Sequence, residues 1–133
     1  MKTKNLILLL FSVLTMIACE KNEKKYGKGS EEIIGYWVYS STSDSIITYE
    51  RKDSLEINNY GFAFKSGQIF IERKNSGWCG TPPISYSDFE GTWTKTDSII
   101  MITVGYWGGT VDYKWKFISV DDEKLRIIRL SEY

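Results

Sequence analysis

Thr110-Val-Asp-Tyr-Lys-Trp-Lys-Phe-Ile-Ser119 alternates apolar and charged side chains residue by residue. Val111, Tyr113, Trp115 and Phe117 fall on one face, and Asp112, Lys114 and Lys116 on the other. A period of two is that of an extended strand, whose successive side chains point to opposite sides. One packed face and one wet face belong to antiparallel sheet. The same mixture of aromatic and β-branched residues, broken at short intervals by turn residues, runs from residue 33 onward. No segment there carries a helical period.

Reading outward, an acidic turn at Asp121, Asp122 and Glu123 precedes a strand at 125–130. Upstream, 89–94 and 98–104 read as strands, and Gly105 to Gly109 as a turn presenting Tyr106 and Trp107. The clearest hairpin pairs 60–65 with 68–73 across Ser66-Gly67, a two-residue loop suited to a primed turn. Strands at 33–40 and 46–50 flank a turn at 41–45, with a short further piece at 55–58. Residues 75–88 hold both prolines of the chain, which cannot donate to a ladder, so this stretch is expected to be a long loop. The expected fold is all-β, an antiparallel meander of about eight strands. Its edges are removed by closure into an up-and-down barrel. A barrel of about eight strands is either filled by side chains or holds one small ligand.

The N-terminus has a different grammar. Lys2 and Lys4 precede an apolar run from Leu6 to Ile17, which ends at Ala18 before Cys19. This is the layout of a signal peptide, too short to be a spanning helix of roughly 20 residues. Met16-Ile-Ala-Cys19 resembles the bacterial lipobox. The resemblance implies removal of residues 1–18 and lipidation of Cys19, with fatty chains such as palmitate on its sulfur and amine. Two or more chains give stable membrane attachment where one gives only marginal binding. Residues 19–32, charged and glycine-containing, read as a flexible tether of roughly 20 Å mean span. Residues 33–133 form the barrel domain. A charged segment directly after the Cys also resembles surface-export signals of some Gram-negative lipoproteins, so both the periplasmic face and the cell surface are open.

The 133-residue chain carries 17 basic and 17 acidic residues. Loss of Lys2 and Lys4 with the signal leaves 15 against 17, and no basic excess points to nucleic acid. There is no histidine, which removes Ser-His and Cys-His catalysis and every His-containing metal site. Asp121-Asp-Glu123 lacks the spacing of a calcium loop and reads as a solvated turn. Gly105, Gly108 and Gly109 open no helix to cradle a phosphate, and no spacing singles out a catalytic carboxylate pair. No cofactor, no metal and no enzymatic activity are expected. With Cys19 lipidated, Cys79 is left without an internal partner; it reads as a small buried hydrophobe.

Gly35-Tyr-Trp37 at the start of the first strand, repeated as Gly91-Thr-Trp93, resembles the Gly-x-Trp signature of lipocalins. Ser76-Gly-Trp-Cys-Gly-Thr-Pro-Pro-Ile-Ser-Tyr86 and the whole of residues 33–130 are similar to the lipocalin-like lipoproteins of Gram-negative bacteria. The chain differs from true lipocalins in having no paired structural cysteines and no evident C-terminal helix. The resemblance implies a barrel with Trp37 packed across one end, held at the outer membrane by its lipid and binding a small apolar or amphipathic ligand. Trp37, Trp93, Tyr113, Trp115 and Phe117 then either line a pocket or form the core. Trp78, Tyr86, Tyr106 and Trp107 either make a rim that grips a sugar, lipid or peptide, or pack as loops over the barrel mouth. The alternative to a ligand-binding barrel is a structural or interaction lipoprotein with a filled one.

Overall fold

The computed structural model describes residues 32–132. The expected signal segment 1–18, Cys19 and the expected tether up to residue 31 lie outside the described residues. Eight strands make a closed antiparallel barrel: β1 (Gly35–Ser43), β2 (Ile46–Lys52), β3 (Gly61–Lys65), β4 (Ile69–Asn75), β5 (Tyr86–Thr96), β6 (Ile99–Tyr106), β7 (Gly109–Val120) and β8 (Lys124–Glu132). From β3 to β8 each strand pairs with the next in sequence, as an up-and-down barrel requires.

One step is not sequential. β1 lies between β2 and β3, and β2 closes the ring against β8. Residues 53–60 therefore recross β1 instead of forming the short strand expected at 55–58. Leu55 of this crossing packs beside Gly61 and Val38. Arg73 fastens it: its Nη1 donates to the carbonyls of Leu55 (3.1 Å) and Glu56 (3.0 Å), while Nε and Nη2 grip Asp88 at 2.7 and 2.8 Å.

The hairpin between β3 and β4 also differs from expectation. Lys65 pairs with Ile69, so the loop has three residues, a single 3-10 turn at Ser66–Gln68, with Gly67 and Gln68 both at positive φ. The long loop is shorter than expected at both ends, because β4 runs to Asn75 and β5 begins at Tyr86. The alternation at 110–119 holds. Trp115 is in the core, and Val111, Tyr113 and Phe117 pack against it. Irregularities near Ile118 and Leu130 bend β7 and β8 around the ring.

The interior is occupied by rings. Phe62 has its centroid 4.7 Å from Tyr49, 5.3 Å from Trp115, 5.5 Å from Phe64 and 5.7 Å from Phe70. Isoleucine, valine and leucine from β6 and β8 complete the packing. Gly91 lets β5 and β6 come together at one wall: a Cβ there would lie 2.1 Å from the Thr103 carbonyl oxygen.

At the end where the chain enters, Ile33 and Trp37 are fully buried, and Trp37 Nε1 donates to the Ile33 carbonyl at 2.8 Å. Arg51 lies over the Trp37 ring, 4.3 Å from its centroid. Its guanidinium donates to the carbonyls of Ile34 (2.6 Å), Glu32 (2.8 Å) and Asp122 (2.9 Å). Gly35, at φ +151°, makes room, since a Cβ would lie 2.4 Å from Arg51 Nη1. Trp37 and Arg51 close off the interior at this near end, where an open, largely polar groove of about 600 Å³ is lined by Glu32, Ile34, Arg51, Val120, Asp121 and Asp122. The far end carries loops 44–45, 76–85 and 107–108, and the crossing segment, which leaves β2 at the near end, arrives there at Tyr60.

Candidate functional site

The far end opens over a polar floor. β4 turns Phe70, Glu72 and, at its end, Lys74 to one side, in register with Phe62 and Phe64 of β3. Glu72 is consequently 2% exposed, the one charged side chain fully buried among the described residues. It is well partnered. Lys74 Nζ donates to Oε2 at 2.6 Å, Tyr60 OH to Oε1 at 2.7 Å and Tyr113 OH to Oε2 at 3.0 Å. Tyr113 stacks on Trp115 at 5.8 Å, and Arg129 Nη2 donates to Tyr49 OH at 3.0 Å. Such groups stay buried because each bond offsets a desolvation cost of several kcal/mol per ion.

Burial, reinforced by the Glu72 carboxylate beside it, holds the Tyr60 hydroxyl well above the ordinary tyrosine range. Burial also raises Tyr49, against the opposing pull of Arg129. A raised folded value makes the neutral phenol a stabilising form. That contribution is complete below the unfolded value near 10 and is lost as pH rises through the folded value. Tyr60→Phe is therefore expected to cost about 1.5–3 kcal/mol at neutral pH, for one hydrogen bond to a charged group. It should also flatten the fall in stability above about pH 10. Urea unfolding across pH reads both, and an alkaline limb as steep as the parent's would refute the assignment.

Above this floor sits a cleft of about 360 Å³ lined by Lys74, Asn75, Gly77, Trp78, Tyr106, Trp107, Val111 and Tyr113. Trp78 is 80% exposed, Trp107 57% and Tyr106 36%. Tyr106 and Trp107 meet edge to face, centroids 5.6 Å apart. The loop bearing Trp78 is pinned at its base. Asn75 Nδ2 donates to the Cys79 carbonyl at 2.8 Å, and Asn75 Oδ1 accepts from the Gly77 amide at 3.0 Å. The Ser76 amide and hydroxyl both donate to the Ser85 carbonyl, at 2.8 and 2.9 Å.

Three of the four expected rim residues, Trp78, Tyr106 and Trp107, are thus brought to one cleft. The fourth, Tyr86, opens β5 opposite Asn75 and is not among its lining residues. Of the five expected lining residues, Trp37, Trp93 and Trp115 belong to the buried core, and Phe117 packs against it. Tyr113 belongs to both, packing on the core and lining the cleft. Sequence reasoning did not single out Lys74, Asn75 or Val111. Lys74 and Asn75 end a strand whose register is set by β3, a pairing that no local pattern shows.

Cys79 is exposed, not buried as expected. It sits on the pinned loop after Trp78, and hydrogen bonding with Thr81 lowers its thiol from the ordinary range. The acidic turn closes on itself: Asp121 Oδ1 accepts from the amides of Glu123 (2.8 Å) and Lys124 (2.7 Å). Among the described residues no group of three or more Cys, Asp and Glu is arranged to hold a metal ion. Among them, too, no helix is long and apolar enough to cross a membrane. The chain matches no family model, no curated protein and no solved structure.

Proposed function

We propose that this chain is a lipid-anchored envelope lipoprotein of the outer membrane whose lipocalin-like barrel is a non-catalytic binding module. In this reading a small apolar or amphipathic ligand is taken at the far-end cleft and not in a central calyx. The observation that carries it is the grouping of Trp78, Tyr106, Trp107 and Tyr113 around one opening. Exposed aromatic walls over a few polar groups are the usual make-up of small-molecule sites, and the volume is at the low end of their range. The absence of histidine from the sequence supports a non-catalytic role. The Met16-Ile-Ala-Cys19 resemblance supports the anchor. The chain enters the barrel at the opposite end from the cleft, so a tether joined there does not obstruct the cleft.

Titration with N-phenyl-1-naphthylamine, a neutral apolar probe, tests the cleft. We expect energy transfer from tryptophan in the parent and at least about tenfold weaker binding, 1.4 kcal/mol, in Trp78→Ala/Trp107→Ala with unchanged circular dichroism. A flat titration of the parent overturns the reading. It would favour a structural or interaction lipoprotein, for which the ring-filled interior around Phe62 speaks. For the anchor, Cys19→Ser is expected to remain unlipidated and uncut by the lipoprotein peptidase, and to leave the membrane fraction. Partitioning identical to the parent's would sink the lipid assignment.

A further inference from the structure

We infer that the ligand of the far-end cleft is a neutral oligosaccharide. The inference rests on the cleft reading above and names its ligand class. A hexopyranose ring presents a face of C–H bonds and a rim of hydroxyls. It is held by flat aromatic faces in contact with water, with polar groups at their edges and no charge to desolvate. The far end supplies these features. The stretches 76–85 and 105–110, the second being the tips of β6 and β7 with their turn, contain Trp78, Tyr106 and Trp107 and not one charged residue.

The one cation among the described residues that line the cleft, Lys74, is engaged below it by the Glu72 carboxylate at 2.6 Å and by the Tyr113 hydroxyl at 3.3 Å. The cleft therefore offers no net charge to a fatty-acid carboxylate, a phosphate or an ammonium group. A polar edge comes from Tyr106, which lines the cleft beside Trp107, whereas the Tyr113 hydroxyl is taken up below by Glu72. The Asn75 and Ser76 bonds hold the Trp78 loop in place before any ligand arrives, which lowers the ordering cost of binding. The opening is a cleft of about 360 Å³, a volume for one or two sugar units of a chain that continues into solvent. Uncharged loops rich in tryptophan and tyrosine also suit a membrane interface. Here they face away from the end where the chain enters, and their rings line a concavity.

The test uses the mature lipidated chain from Cys19 in phosphatidylcholine nanodiscs, titrated with four neutral hexasaccharides: β-1,4-glucan, β-1,4-linked N-acetylglucosamine, β-1,4-mannan and α-1,4-glucan. Tryptophan fluorescence and calorimetry report binding. We expect at least one to bind, with affinity unchanged from about 0.05 to 0.5 M salt because no charge is paired. Trp78→Ala and Trp107→Ala should each weaken it by about tenfold or more. No binding by any of the four, or affinity retained in both variants, overturns the inference. So does quenching of Trp78 and Trp107 by brominated phosphatidylcholine, which would assign the surface to a bilayer. If the naphthylamine probe still binds in a Trp-dependent way while the saccharides do not, only the saccharide class is lost. If neither binds, the cleft reading goes with it.

Discussion

Replacing Phe62 with alanine is expected to lower the unfolding free energy by about 3–5 kcal/mol. Phe62 is fully buried and touches four other rings, on β2, β3, β4 and β7, so its removal opens a void at the meeting point of opposite walls. Strands closed in a ring have little freedom to collapse into that space, which puts the cost at the cavity-forming end of the range. Against a typical total of about 5–15 kcal/mol, this is a large share. Ile57→Ala is the control. Ile57 is 86% exposed on the crossing segment, and its truncation should change stability by less than about 0.5 kcal/mol. Urea midpoints at constant m-value give both numbers. Equal losses in the two variants would mean that the interior is not packed around Phe62.

Lys74→Met is expected to cost a similar amount, about 3–5 kcal/mol, for a different reason. It removes the cation from a carboxylate that is 2% exposed and leaves Glu72 held only by the two tyrosine hydroxyls. The buried charge, not the lost contact, makes the change severe. Glu72→Gln added to Lys74→Met should restore most of the loss, because an amide keeps an acceptor for Tyr60 and can donate to the Tyr113 hydroxyl oxygen without the charge. Replacing a buried ion pair by neutral groups of similar shape is often close to neutral. Circular dichroism melts of the parent, the single variant and the double variant decide it. A double variant no more stable than Lys74→Met alone would show that charge burial is not the cause.

Much of the barrel was legible because strands announce themselves locally. The alternation of Val111, Tyr113, Trp115 and Phe117 against Asp112, Lys114 and Lys116 needs no neighbour to be read, and those faces are the faces of β7. The turns expected at 41–45, between 94 and 98, and at 121–123 fall at hairpins for the same reason, the first narrowed to 44–45 because β1 runs on to Ser43. β4 is the counter-example. Period two groups Ile69 with Ile71 and Phe70 with Glu72, and apolar content alone favours the first pair for the interior. The fold chooses the second, leaving Ile69 37% exposed and Phe70 buried. Phe64 pairs with Phe70 and Phe62 with Glu72, so the three-residue turn between β3 and β4 sets which face looks inward. A slip of one residue would reverse it.

From the residues alone, this protein was determined to be antiparallel and all-β, with about eight strands and enough of them to close. Those properties follow from side-chain period and turn chemistry, which act over a few residues. Tertiary structure alone decided that β1 stands between β2 and β3. It also buried Glu72 beneath Tyr60, Lys74 and Tyr113, and joined Trp78 to Tyr106 and Trp107 from loops nearly thirty positions apart. Those outcomes depend on register between strands distant in sequence. Register is set by whether the whole ring can close over its aromatic core, a condition that no single stretch of the chain contains.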